Sequence, residues 1–328
     1  MFGRTLPGKP DLIHYLLLPG FSMMAFASSI EPLRAANQIA GRKLFDWRTV
    51  TIDGKSVKAS NGVEIAPGGC FADPCGASTL LICAGLGVGT FHHPQLAPRL
   101  RELGRNGVAL GGICTGALPL ARAGLLDGYR CTIHWESVEP FAEEFPHLNI
   151  TATLFEADGN RYTCSGGTAP LDMMVGSIAQ DYGKDLAVRV AEMLLHHSVR
   201  HPHDAQRMSL EHRTGITHPK LLAVIAHMEA YIESPTPVAA LADSVQLSKR
   251  QLERLFRDRL GTTPTRYYLE LRLQRARLLM QETSMPILHV GVATGFTSSS
   301  HFTRCYRAYF GVSPRAERLS LRRIFQFT

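Results

Sequence analysis

Ser248-Lys-Arg-Gln-Leu-Glu-Arg-Leu-Phe-Arg-Asp-Arg-Leu-Gly-Thr-Thr-Pro264 and Ser298-Ser-Ser-His-Phe-Thr-Arg-Cys-Tyr-Arg-Ala-Tyr-Phe-Gly-Val-Ser-Pro314 align without a gap at an offset of 50 residues. The opening serines, Arg254/Arg304, Arg257/Arg307, Gly261/Gly311 and Pro264/Pro314 are identical, and Leu252/Phe302, Phe256/Tyr306 and Leu260/Phe310 stay apolar. So dense a self-match marks an internal repeat. In each copy a serine is placed to cap a helix, and Leu252, Leu255 and Phe256, or Phe302, Cys305 and Tyr306, recur at the spacing of one buried face. A shorter helix, over 238–244 or 287–293, precedes each copy across a tight turn, the second turn containing Gly295. The pattern predicts a helix-turn-helix, twice. The outer N-terminal residues of such a second helix reach base edges in the major groove. They are Lys249, Arg250, Glu253 and Arg254 in the first copy and Ser299, Ser300, Thr303 and Arg304 in the second. Bidentate arginine to guanine is the favoured base contact, while an arginine in the same place serves equally to hold a phosphate.

Charge supports a polyanion partner for this region. Residues 1–200 carry 17 Lys and Arg against 18 Asp and Glu, whereas residues 201–328 carry 18 against 10. The whole excess of positive charge in this chain of 328 residues therefore sits in its last third. At about 150 residues per domain the length suits two domains. A polar, histidine-rich stretch starting at Arg200-His201-Pro202-His203-Asp204 reads as the connection. The expected division is 1–200, a linker over 201–219, and an all-α domain over 220–328.

Before that linker, β-like and helical stretches alternate as in a mostly parallel sheet covered by helices. Strands are expected over 14–18, 47–52, 79–84 and 108–113, with a hairpin of 150–155 and 161–164. Helices are expected near 23–40, 95–105, 116–123, 137–145, 170–182 and 184–197. The longest apolar runs fall far below the roughly 18 residues of a membrane span, and the N-terminus shows no cleavage pattern, so a cytoplasmic protein is expected. The seven cysteines are odd in number and form no C-x-x-C pair, which argues against a disulfide framework or metal cage. No cofactor is expected.

Gly112-Ile113-Cys114-Thr115-Gly116 follows an apolar strand and opens a helix, the context of a nucleophile elbow with Cys in place of Ser. A helix N-terminus favours thiolate, and the backbone N–H groups of Thr115 and Gly116 are a natural anion site. The same pentapeptide also suits a small residue at a crowded turn. His134 is a candidate partner of Cys114, and Phe21, Phe26, Trp47, Phe91 and Trp135 are aromatic residues near the expected pocket. Converging aromatic faces hold a quaternary ammonium by cation–π attraction; Trp135 is the first choice of wall and Phe21 the second.

Two resemblances follow from these motifs. Ser248-x-Arg250-x-Leu252-x-Arg254-x-Phe256, Gly261-x-x-Pro264, Arg272-Leu273, Gly295-Phe296, Phe302-x-Arg304 and Phe310-Gly311-x-Ser313-Pro314 resemble the double helix-turn-helix domain of AraC/XylS transcriptional regulators over roughly 218–318. Val290-Gly291 and Ala316-Glu317-Arg318 depart from the family pattern. The resemblance implies a long helix, over 264–281, joining the two motifs. Pro19-Gly20-Phe21, Glu31-Pro32, Gly112 to Ala117, Thr132-x-His134-Trp135 and Ser165-Gly166-Gly167 resemble the PfpI-like branch of the class I glutamine amidotransferase-like fold over roughly 12–198. The expected fold is thus an α/β sandwich of that type followed by an all-α domain with two helix-turn-helix motifs.

Together the two resemble GlxA-type regulators, most closely those responding to carnitine- or betaine-like compounds. Enzymatic relatives such as isonitrile hydratases carry a carboxylate about five residues after the Pro-Gly that ends the first strand. Here that position is Ala25, which cannot move a proton, and Glu31 is the nearest alternative acid. The resemblance implies a retired pocket of Cys114, Thr115, Gly116, His134, Trp135, Phe21, Ser22 and Glu31 that binds a small effector. Duplex DNA, a second copy of the chain and RNA polymerase are the other expected partners. Two readings compete: a Cys114-dependent hydratase or amidohydrolase-like enzyme, and a redox sensor using the same thiol.

Overall fold

The computed structural model describes residues 9–73, 76–283 and 285–319, which form two compact units divided in sequence between Gln206 and Arg207. The first unit contains β1 (Asp11–Leu17), β2 (Phe45–Thr51), β3 (Val57–Lys58), β4 (Glu64–Ile65), β5 (Gly69–Cys70), β6 (Thr79–Cys83), β7 (Ala109–Ile113), β8 (Arg130–Cys131), β9 (Asn149–Ile150), β10 (Phe155–Asp158) and β11 (Arg161–Cys164). Seven of these make one sheet in the order β10-β11-β7-β6-β1-β2-β5, parallel throughout except for β10 against β11. Its helices are α1 (Met23–Ala40), α2 (Leu96–Arg105), α3 (Ala117–Arg122), α4 (Val138–Glu144), α5 (Ala169–Tyr182) and α6 (Lys184–Met193).

A strand buried on both faces sends alternate side chains into two cores, and β1 does so. Ile13, Tyr15 and Leu17 meet Leu33, Met173, Ile178 and Val190 of α1, α5 and α6. Leu16 and Leu18 join Leu100, Leu120 and Phe141 of α2, α3 and α4 on the other face. Two sequence expectations shift. The hairpin strand lies at Phe155–Asp158 rather than 150–155, because the Gly159-Asn160 turn, with Gly159 at φ 57°, pairs Asp158 with Arg161. Ile150 belongs instead to the short β8–β9 pair. The helix expected to reach 197 stops at Met193, since Leu195 turns at φ 54° and His196 bonds back to Asp172.

The second unit holds α7 (Leu210–Thr214), α8 (Pro219–Ala230), α9 (Val238–Ser244), α10 (Lys249–Leu260), α11 (Pro264–Glu282), α12 (Ile287–Ala293) and α13 (Ser299–Phe310). It has two cores. Leu221, Ile225, Leu241, Leu252, Phe256 and Tyr268 build the first; Leu273, Leu279, Val290, Phe296, Phe302 and Tyr306 build the second. Helix α11 serves both, with Tyr268 in one and Leu273, Ala276 and Met280 in the other. The stretch 201–219 is anchored chain: Pro202 accepts a bond from Leu154 N–H, while Arg213 pairs with Glu229 and Ile216 enters the first core of the second unit.

Candidate functional site

The two repeats fold as matching helix-turn-helices. Ser248 caps α10 by accepting from Gln251 N–H, and the Gln251 side chain returns the bond to Ser248 N–H in a full capping box. Ser298 caps α13 by accepting from His301 N–H, and Gly261 and Gly311 end the two helices in left-handed conformation. Leu252 and Phe256, and Phe302 and Tyr306, point into the cores. The opposite faces present Lys249, Arg250 and Arg254 exposed with Glu253 half-buried, and Ser299, Ser300, Thr303 and Arg304 exposed.

Among the described residues, the ion pairs of this unit engage Arg207 and Arg213 with Glu229, Arg266 with Glu270, and Arg277 with Glu317. None of these takes a cation from the first turns of α10 or α13. Ser299, Ser300, Thr303, Arg304, Arg307 and Ala308 line a shallow surface groove along α13. Arg307, identical with Arg257 in the repeat, is the addition that the geometry makes to the residues chosen from sequence. Arg272 braces the second motif: it donates to Thr294 O at 2.7 Å and lies 4.1 Å from the Phe296 ring centroid.

In the first unit the predicted elbow exists. Cys114 sits at φ 63°, a left-handed conformation that costs an L-residue on the order of 1 kcal/mol and that persists only where the surroundings enforce it. They do: Cys114 N–H donates to Cys164 O at 2.9 Å, and its carbonyl accepts from His134 N–H at 3.3 Å. Gly166, at φ 92°, approaches so closely that a Cβ there would fall 2.8 Å from Cys114 Cβ. Thr115 Oγ1 donates to Gly85 O at 2.8 Å, and Phe21 bridges Gly85 in antiparallel pairing. Cys114, Thr115, His134 and the Phe21-Ser22 backbone thus gather at the C-terminal ends of the strands.

Several assigned roles change. Phe21 is fully buried, edge-on to Phe26, and so offers no face to a ligand. Gly116 N–H already donates to Ile113 O, which removes it from the expected anion site. Ser22 caps α1 through Ala25 N–H, and Glu31 is paired with Arg34 at 2.7 Å. Ala25 is buried in the same first turn. Trp135 remains partly exposed, its ring centroid 5.7 Å from that of His134. Burial pushes the His134 pKa below the ordinary 6.5, against an opposing pull from Glu136, whose carboxylate lies 3.6 Å from Nδ1. The lowered value favours the neutral imidazole at pH 7. Burial likewise pushes the Cys164 thiol up to about 12.

Sequence reasoning passed over Asp172, whose fully buried carboxylate accepts from His196 Nε2 at 2.7 Å and from Arg200 Nη2 at 2.6 Å. A lone acid within Pro170-Leu-Asp-Met-Met174 was the available signal, because a buried carboxylate requires such partners. Among the described residues no group of three or more His, Cys, Asp or Glu is placed to hold a metal, and no helix is long and apolar enough to cross a membrane.

A double helix-turn-helix unit behind an α/β unit with a Cys elbow defines a DNA-binding transcriptional regulator. Residues 241–320 match the family described as "Helix-turn-helix domain", and residues 15–180 match the DJ-1/PfpI family. The chain is 44% identical to the HTH-type transcriptional regulator GbdR of Pseudomonas aeruginosa, covering 94% of this chain and 84% of that one. It is 45% identical to CdhR of the same species, over 94% and 91%, and 41% identical to GlxA of Rhizobium meliloti, over 92% and 94%. The chain belongs to the GlxA-type AraC-family transcriptional regulators. Among solved structures, an AraC family transcriptional regulator from Pseudomonas putida superposes with a TM-score of 0.53 at 31% identity, covering 56% of this chain and all of that one. A ThiJ/PfpI family protein from Pseudomonas syringae shares the fold, with a TM-score of 0.51 at 21% identity over 67% of this chain and 87% of its own.

Proposed function

We propose that this regulator reads duplex DNA with the first turns of α10 and α13 and responds to a small metabolite held at the Cys114 elbow in a pocket that performs no turnover. The observation that carries the DNA face is the pair of capped helices whose exposed outer cations make no ion pair among the described residues. Absence of catalysis is supported by Ala25 at the position where enzymatic relatives carry an acid, and by a Thr115 hydroxyl already bound to Gly85. Cys114→Ser is expected to leave DNA binding intact and to alter the ligand response. Conversion of a ligand by the wild type that is lost in this variant would overturn the reading.

The effector class favoured is a quaternary ammonium compound. Trp135 is partly exposed and offers an aromatic face, the surface that attracts a cation without N–H donors. Each aromatic face contributes about 0.5–2 kcal/mol. Calorimetry with betaine, carnitine and choline should show binding to wild type, weakened several-fold in Trp135→Ala. Binding of none of the three, together with binding of an uncharged metabolite, would remove the cation reading. Self-association and contact with RNA polymerase belong to the same proposal; sedimentation of the full chain with and without DNA tests the first.

A further inference from the structure

We propose that residues 196–206 form a strap that carries the state of the Cys114 pocket to the DNA-binding unit. The proposal rests on the pocket reading above for the identity of its trigger, and its anchors rest on geometry alone. The first anchor is Asp172 on α5. Its buried carboxylate accepts from His196 Nε2 and from Arg200 through the backbone N–H at 2.8 Å, Nε at 2.9 Å and Nη2 at 2.6 Å. Arg200 Nη2 also donates to Thr168 Oγ1 at 2.7 Å. Thr168 ends the loop whose Gly166 lies against Cys114.

The second anchor holds the other side of the elbow. Leu154 N–H donates to Pro202 O at 2.8 Å, and Ala205 bridges Thr153. Gln206 Nε2 then reaches Thr153 O at 2.7 Å, Thr132 Oγ1 at 3.0 Å and Ile133 O at 3.1 Å. Ile133 directly precedes His134, whose N–H holds the Cys114 carbonyl. One segment therefore grips both loops that touch Cys114, and the next residue, Arg207, belongs to the second unit, where it pairs with Glu229.

Among the described residues the buried Gln206 Oε1 has no protein partner, and releasing the strap returns that amide to water. A ligand that parts the 132–135 and 165–168 loops shifts this balance. By linkage, loosening the strap must loosen the loops in turn.

Amide hydrogen exchange on the full chain tests this. Arg200→Lys keeps a charge opposite Asp172 but gives up the fork to Thr168; Gln206→Met keeps the volume and removes the amide. Each is expected to raise exchange of 196–206, 130–136 and 163–170 together by about tenfold, with 45–51, toward the opposite edge of the sheet from β10 and β11, unchanged. Faster exchange confined to the strap, or spread equally to 45–51, would overturn the proposal. Carnitine serves as the ligand probe: wild type bound to it should show altered strap exchange and altered DNA affinity, and Gln206→Met should bind it without the change in affinity. Failure of wild type to bind carnitine counts against carnitine as the effector and leaves the exchange result in the ligand-free variants to decide the strap. An unresponsive strap in carnitine-bound wild type sinks the strap alone.

Discussion

The two helix-turn-helix motifs share a frame and differ in what they hang on it. The frame extends further upstream than the gapless repeat: Pro237 and Pro286 precede α9 and α12, Gln246 and Gly295 both turn at positive φ, and Leu247 and Phe296 follow in matching places. This part runs at an offset of 49, one residue short of the offset of 50 downstream, so the second turn is one residue longer. The outer surfaces diverge, charged on α10 and hydroxyl-rich on α13. The supports diverge too: Tyr306 donates to buried Glu317, which also holds Arg277, where the first motif has Phe256. Common frame with different faces means that folding is specified twice alike, and on the proposed reading recognition is specified twice differently.

The largest effect that would sharpen this contrast is at the turns. Gly295→Ala places a Cβ at φ 76°, 2.7 Å from Pro235 and 2.8 Å from Ile232 O, and should cost about 2–4 kcal/mol by chemical denaturation. Equal stability would show that the turn is looser than drawn. Next come Arg250→Ala and Arg304→Ala, each expected to weaken binding to a preferred DNA by about 1–3 kcal/mol and to relax preference at its own base position. Uniform weakening on every sequence would reassign that arginine to phosphate.

Smaller is Tyr306→Phe, which copies the first motif's ring and strips Glu317 of a buried donor, at about 1–2 kcal/mol of melting stability. A neutral result would make the Glu317 network incidental. Smallest is Gln246→Gly, expected to gain about 0.5 kcal/mol because the left-handed turn is strained only for the residue with a Cβ. A loss there would mean that the Gln246 side chain contributes more than its backbone costs.

What could be read from residue order follows from how each feature is encoded. Helices α10 and α13 were legible because capping serine, apolar spacing and terminal glycine are local signals, and α11 begins at Pro264 as expected. The Cys114 elbow was legible for the same reason, as a strand, a turn and a helix in immediate succession. The contact of Phe21 with Phe26 and the bond from Gly116 N–H to Ile113 O were not legible, because they depend on how the turns close. Asp172 and Arg200 lie 28 residues apart and Gln206 reaches Thr132 across 74, pairings that leave no periodic trace. Glu317 was visible only as a departure from the family ending; its burial against Tyr306 gives the departure a structural role.

The most direct test of the central claim, that α10 and α13 read DNA independently on one frame, is selection of preferred duplexes from a randomised pool. Full-chain wild type, Arg250→Ala and Arg304→Ala would be compared at one fixed salt concentration. The account predicts two clusters of preferred bases in the wild-type consensus, with one position lost from a different cluster in each variant. A wild-type consensus with a single cluster, or variants that both lose the same position, would contradict it.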